Sequence, residues 1–169
     1  QPVSQQLPVA AICTDTCIQK TLLASVCNRS VRIYNYRRRA VELTSNFSEE
    51  VLSVSLCPTG FRIVIGFRFK LCLYNIERDK LSLVCTWQLK SVSLVQFHGS
   101  GDKFFAVTST NILIISALSF KVLKTLRGHS GIVKSAQWSR LENDCTGYDY
   151  RLVSVGHEGS KYEWTIVNP

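Results

Sequence analysis

One pattern returns along this sequence at a fixed interval, and it leaves few folds open to the chain. VLSVSLCPTG from Val51 recurs as VSLVQFHGSG from Val92 and as VKSAQWS from Val133, a period of 41 residues. Val51, Val92 and Val133 correspond, then Val54, Val95 and Ala136, then Leu56, Phe97 and Trp138; Gly60 and Gly101 keep the same step. A weaker copy starts at Val9. Each unit continues with a second apolar run (LLASV, RIVIG, FFAVT, RLVSV) and a third (SVRIYNY, KLCLYNI, NILIISA, SKYEWTI). In the first three units a fourth run, AVELTSN, LSLVCTWQL or FKVLKTL, follows a polar turn such as Arg37 to Arg39 or Glu77 to Lys80.

Runs this short, rich in β-branched and aromatic residues and bounded by turn residues, predict strands. Apolar residues do not recur at three- and four-residue steps over any useful length, so a helical reading fails. Four short strands per 41 residues is the blade of a β-propeller. A single four-stranded sheet cannot cover both its faces, so neighbouring blades stack and bury them. The expected fold is all-β, a propeller segment of about four four-stranded blades, with units at roughly 8–47, 48–90, 91–129 and 130–169. The last unit ends at Pro169 after its third run, and only Gln1 to Leu7 is left to supply an outer strand. The sequence holds no methionine. Both features predict an interior excerpt of a longer protein, an arc completed by remaining blades or by a second copy of the chain.

Composition narrows the class of function. No run of 18 apolar residues is present and Gln1 to Ala10 does not read as a signal peptide, so neither a membrane span nor secretion is expected. Seven cysteines, an odd number without any C-x-x-C pair, do not make a disulfide framework. They predict reduced thiols in a cytoplasmic setting, which makes the sequons at Asn28 and Asn46 chance matches. His98, His129 and His157 fall at separate repeat positions without metal-ligand spacing. No nucleophile elbow and no phosphate-binding glycine fingerprint occurs, and GSGDK at Gly99 to Lys103 reads as a hairpin turn. No catalytic residue, cofactor or metal site is expected.

RGHSGIVKSAQWS from Arg127 and the closing LVSVGHEGSKYEWTI together resemble one repeat of the WD family. The resemblance implies a hydrogen-bonded structural tetrad of His129, Ser154, Glu158 and Trp164, and a ring of seven-bladed type. Glu158 stands where the family has Asp, and Thr165 replaces the Asp of the name-giving dipeptide; Tyr34, Tyr74 and Ile115 take the Trp position in the other units. Across most of its length the chain is further similar to an axonemal group of WD-repeat proteins of cilia and flagella. That likeness is carried by VRIYNY (Val31 to Tyr36), by Val54 to Leu56 with Pro58 and Gly60, by Phe104 to Val107, and by Tyr162, Glu163 and Trp164. It implies a non-enzymatic scaffold of the cytoskeleton, located in the axoneme, that supports dynein-arm assembly or motility regulation. Its partners would be axonemal or dynein-associated proteins and acidic tubulin surfaces. The alternative is a general WD-repeat peptide-binding adaptor in a cytosolic signalling or ubiquitin-ligase complex.

The formal net charge of +8 biases partners toward acidic surfaces. In the WD family, turns between first and second strands share a face with turns between third and fourth strands. On this face the chain places Arg37, Arg38, Arg39, Arg62, Arg78, Lys80 and Lys103, with Glu77, Asp79 and Asp102 nearby. The six residues Arg37, Arg38, Arg39, Arg62, Arg78 and Lys80 are the candidate protein-interaction residues; ordinary solvated turn residues are the bland alternative. Nucleic acid is disfavoured as the partner, since only Phe61 and Phe69 interleave aromatics with the basic turns. A polar loop, LENDCTGYDY, lengthens the last unit by eight residues and is either a recognition loop or simple length drift.

Overall fold

The computed structural model describes residues 13–139 and 149–167. The start of the copy at Val9, the segment Gln1 to Leu7 and most of the inserted loop, Cys145 included, lie outside the described residues. The first blade is β1 (Cys13–Cys17), β2 (Leu22–Cys27), β3 (Ser30–Asn35) and β4 (Ala40–Asn46). The second is β5 (Val51–Leu56), β6 (Arg62–Phe67), β7 (Leu71–Ile76) and β8 (Leu81–Trp87), and the third is β9 (Val92–Phe97), β10 (Lys103–Thr108), β11 (Asn111–Ser116) and β12 (Val122–Leu126). The fourth has β13 (Val133–Ser139), β14 (Asp149–Gly156) and β15 (Lys161–Val167). Each sheet is an antiparallel meander in chain order, four-stranded in the first three blades and three-stranded in the last.

The middle strands explain the continuous apolar runs. Side chains alternate between the two faces of a strand, and in β6 and β10 both faces are covered. Ile63, Ile65 and Phe67 turn toward blade one, against Ala24, Val26, Val31 and Ile33, while Val64 joins Leu71 and Leu73 against Phe104 and Ala106 of blade three. Phe105 and Val107 pack the opposite way, with Ile112 and Ile114, onto Leu152 and Ile166 of blade four. These side chains are at most 5% exposed. Full burial of each large one stabilises the fold by about 1.5–3 kcal/mol, so the three seams carry most of the folding free energy. β2 has one face against a neighbouring blade among the described residues, and its burial alternates strictly between buried and half-buried.

Two sets of hydrogen bonds, each repeating from blade to blade, fix how consecutive sheets dock. Residues at or just before the start of the inner strands donate back to the preceding blade's β2–β3-type turn: Val51 N–H to Asn28 O (2.9 Å), Ser91 N–H to Arg68 O (2.6 Å) and Val133 N–H to Ser109 O (2.9 Å). The second set runs along the inner strands themselves. Asp15, Ser55 and Gln96 occupy equivalent places, opposite Ala24, Val64 and Phe105 of their partner strands. Each presents a side-chain oxygen to a backbone N–H one blade further on: Leu56 N–H to Asp15 Oδ2 (2.7 Å), Phe97 N–H to Ser55 Oγ (3.0 Å) and Trp138 N–H to Gln96 Oε1 (3.4 Å). At Gly66 the backbones of blades two and three approach too closely to leave room for a side chain. A Cβ there would strike Ser53 Oγ and sit 2.8 Å from the Val92 carbonyl, which Ser53 itself uses as acceptor at 2.9 Å.

Candidate interaction surface

Inner strand to second strand and third strand to fourth strand are joined on one side of every blade, so the turns 18–21, 36–39, 57–61 and 77–80 gather on one face. Asn35 organises this face in blade one. Its side chain is buried, and its Oδ1 accepts from Thr21 Oγ1 (3.1 Å), Arg37 N–H (3.1 Å) and Arg38 N–H (3.0 Å), while Nδ2 donates to Glu42 Oε1 (2.8 Å). One short amide thereby ties the β1–β2 turn to the β3–β4 turn, the local capping that short polar side chains provide. Ser116, at the matching place in blade three, accepts from Leu118 N–H (3.2 Å) and Ser119 N–H (3.0 Å) through Oγ.

The cations named from sequence fall into three situations. Arg37, Arg38 and Arg39 are exposed on their turn, and Arg39 adopts a left-handed φ of 53°. Arg78 and Lys80 are exposed on the β7–β8 turn. Arg38 lies 3.7 Å from Glu42 and Lys80 3.7 Å from Glu77, distances and exposures at which an ion pair contributes only about 0–1 kcal/mol. Arg62 is half-buried, and its guanidinium donates to the Ala117 carbonyl at 2.8 Å, so it links blades two and three. Lys103 departs furthest from the expected surface position. It is 3% exposed, with its ammonium 3.2 Å from the centroid of Tyr150 and 3.4 Å from Asp102. Its long stem lets the charge leave the turn and settle on an aromatic face.

Arg38 and Arg78 come together around a groove of about 510 Å³ between blades one and two, floored by Leu22, Ile33, Leu43 and Ile76. Lys20, on the β1–β2 turn, forms part of the same rim. Sequence reasoning counted Arg62 and Lys103 at this kind of turn and passed over Lys20. The signal was its place just before β2, as Arg62 begins β6 and Lys103 begins β10. A second hollow, about 860 Å³, lies at the ends of the inner strands, bordered by Asp15, Gln96, His98, Trp138, Tyr150 and Arg151. There the His98 ring meets Tyr150 edge-on at 4.5 Å and Trp138 at 5.0 Å, and burial pushes its pKa below the usual value of 6.5.

His129, Ser154, Glu158 and Trp164 meet at the seam of blades three and four. Trp164 Nε1–H donates to Ser154 Oγ at 2.8 Å, and Ser154 Oγ is 2.7 Å from His129 Nε2. Nδ1 of the ring lies 3.3 Å from Glu158 Oε1 and 3.3 Å from Ser160 Oγ. A carboxylate accepts only, so Nδ1 carries the proton; Nε2 then accepts from the Ser154 hydroxyl, whose lone pair takes the indole N–H. Tyr162 packs edge-on to His129 at 4.6 Å and stacks on Trp164 at 5.4 Å. The Ser160 hydroxyl, the backbone N–H of Glu158 itself and His129 hold the Glu158 carboxyl down at about 2. Ser160 Oγ donates to Oε1, the same carboxylate oxygen that faces the imidazole. Among the described residues no group of three His, Cys, Asp or Glu side chains is placed to hold a metal ion.

No family model matches the chain. Cilia- and flagella-associated protein 57 of mouse is 37% identical over 153 residues, which cover 90% of this chain and 12% of the mouse protein. Cilia- and flagella-associated protein 57 A of Tetrahymena thermophila is 32% identical over 140 residues, 79% of this chain and 10% of that protein. The matched part of the chain therefore spans only about a tenth to an eighth of the length of these relatives. Among solved structures, Sqt1 of Saccharomyces cerevisiae superposes with a TM-score of 0.73 over 87% of this chain and 41% of its own, at 18% identity, a likeness of fold alone. With its blades and its last repeat as described, the chain is a WD-repeat β-propeller segment homologous to the cilia- and flagella-associated protein 57 proteins of mouse and Tetrahymena.

Proposed function

We infer that this chain is part of a non-enzymatic scaffold of the axoneme, one that supports dynein-arm assembly or the regulation of motility by holding other proteins in place. The observation that carries the reading is the 37% identity to the mouse cilia- and flagella-associated protein, sustained across 90% of the chain. Its contacts are assigned to the turn face, where Arg37, Arg38, Arg39, Arg78 and Lys80 stand exposed and Arg62 braces the blade behind them. Acidic surfaces, those of tubulin among them, are the complementary partners for such a face, and a surface of this kind acts on association rate and specificity more than on raw affinity. The four residues at the seam of blades three and four belong to the framework of the fold in this reading.

Fluorescent tagging of the protein in a ciliated cell tests the location. Signal along the axoneme that survives detergent extraction of the membrane is expected. Uniform cytosolic signal, with the same tag on a known axonemal protein retained, would overturn the assignment.

A further inference from the structure

The groove between the first two blades carries features that a merely solvated turn region would not have. Lys20 is built into its rim. The backbone of Gly60 runs so close to the lysine stem that a Cβ on Gly60, whose φ is +70°, would lie 2.7–2.8 Å from Lys20 Cβ, Cγ and Cδ. Beyond that contact the ammonium sits 3.2 Å from the centroid of Phe61. A lysine held at its stem by backbone and at its head by a ring has lost much of its rotamer freedom before any ligand arrives, and preorganisation of this kind lowers the cost of binding. Arg38 faces it from a turn fixed by the buried Asn35, and Arg78 closes the rim from blade two.

Charge is unbalanced here in a specific way. The two carboxylates of the rim are already engaged: Glu42 by Asn35 Nδ2 and Arg38, Glu77 by the Ser82 hydroxyl and Lys80. Among the described residues, Lys20, Arg78 and the neighbouring Arg37 and Arg39 have no carboxylate within ion-pair distance. Between these cations the floor is aliphatic, and Phe61 is 59% exposed at its edge.

Resting on the reading of this chain as a protein-interaction scaffold, we propose that the groove between blades one and two seats an acidic peptide segment of a partner protein, with carboxylates against Lys20, Arg38 and Arg78 and one apolar side chain on the Ile76 and Phe61 floor. A single-stranded nucleic acid fits less well. Its bases need free aromatic faces to stack on, and the one aromatic ring of the groove already lies beneath the Lys20 ammonium.

Fluorescence anisotropy of the full 169-residue chain tests this with a labelled peptide rich in Glu with one central Leu, and with its Gln counterpart. At about 0.15 M ionic strength, where screening acts beyond roughly 8 Å, the Glu peptide binds and the Gln peptide does not. Lys20→Glu and Arg78→Glu each weaken binding about fivefold or more, consistent with loss of one charge pair and gain of a repulsion. Lys124→Glu, on the outer strand of blade three, leaves it unchanged. Lys20→Gln serves as the milder variant if reversal disturbs the turn, and near-native thermal melts certify each protein. Equal binding of the Gln peptide, an equal loss in Lys124→Glu, or displacement of the Glu peptide by oligouridylate at lower concentration each overturns the proposal. Such a failure leaves axonemal localisation untouched, so the two readings fall separately.

Discussion

Replacing Ser154 by Ala removes one hydroxyl and strands two partners. The hydroxyl is fully buried, donates to His129 Nε2 at 2.7 Å and accepts from Trp164 Nε1–H at 2.8 Å. The imidazole is nearly inaccessible, with 1% of its side chain exposed, so its orphaned nitrogen bears the desolvation cost of about 1–3 kcal/mol. Trp164 is half-buried and its N–H can recover some hydration, which limits that loss to about 1 kcal/mol. The sum is about 2–4 kcal/mol, and for a chain of this size the melting temperature falls by about 4–16 °C. Urea denaturation followed by tryptophan fluorescence and circular dichroism gives the value directly. Trp164→Phe keeps an aromatic ring, though a smaller one, and deletes the donor. In the double variant the indole N–H is no longer there to be stranded, so the two losses sum to more than the double variant shows, by about 0.5–1 kcal/mol. A Ser154→Ala cost below about 0.5 kcal/mol, or strict additivity in the cycle, refutes the assignment of Ser154 as the shared partner.

Asp15→Ala should destabilise the seam of blades one and two by about 2–3 kcal/mol, because it leaves the buried Leu56 N–H and Ser55 hydroxyl without their charged acceptor; Asp15→Asn should restore part of this in the same urea titration. His98 has a folded pKa depressed by burial and by Lys103, with Asp102 opposing. Since the folded state resists protonation, stability is fully present above the usual pKa of 6.5 and declines as pH falls below it, and His98→Gln should flatten that part of the stability profile. Glu158 is the opposite case. Its folded pKa of about 2 lies below the ordinary 4.5, so its contribution is complete above pH 4.5 and is lost as pH falls toward 2; Glu158→Gln should remove that acid limb, measured as the pH dependence of the urea midpoint.

The blades were legible because they obey two rules that a sequence displays openly. A 41-residue period aligns the strands, and burial on both faces makes β6 and β10 apolar without alternation, as RIVIGF and KFFAVT. The turn face was legible in part. Arg38 and Arg78 could be placed from topology alone, yet Lys103 shares a turn position with Arg62 and ends up on Tyr150, a residue 47 positions away whose approach no local pattern announces. The inner-strand bonds were hidden for a related reason. Ser55 and Gln96 stand beside Leu56 and Phe97, where a polar residue reads as ordinary strand alternation, and the N–H each one serves lies a full blade further along the chain. Asn35 follows Tyr34 in the register of the WD dipeptide's second position, yet its role rests on two turns, β1–β2 and β3–β4, that only the folded sheet brings together.

These differences separate what holds the fold from what is free to recognise a partner. The seams and the inner-strand bonds involve Arg62 and Asp15 but not Arg37, Arg39 or Arg78; Lys20 touches blade two through its stem and the Phe61 ring, yet its charge, like those three, forms no ion pair with the described residues. A chain of net charge +8 pays for such charges in self-repulsion. That repulsion is relieved when an anionic segment enters the groove, so the ligand should stabilise the chain as well as bind it. At a free peptide concentration one hundred times its dissociation constant the gain is about 2.7 kcal/mol. Because the contacts are exposed, added salt should erode this gain, while the same screening of self-repulsion slightly raises the unliganded melting temperature. The contrast follows from the division itself: the apolar seams that set stability hold no ion pair for salt to weaken, whereas the cations that set recognition act through charges that salt screens.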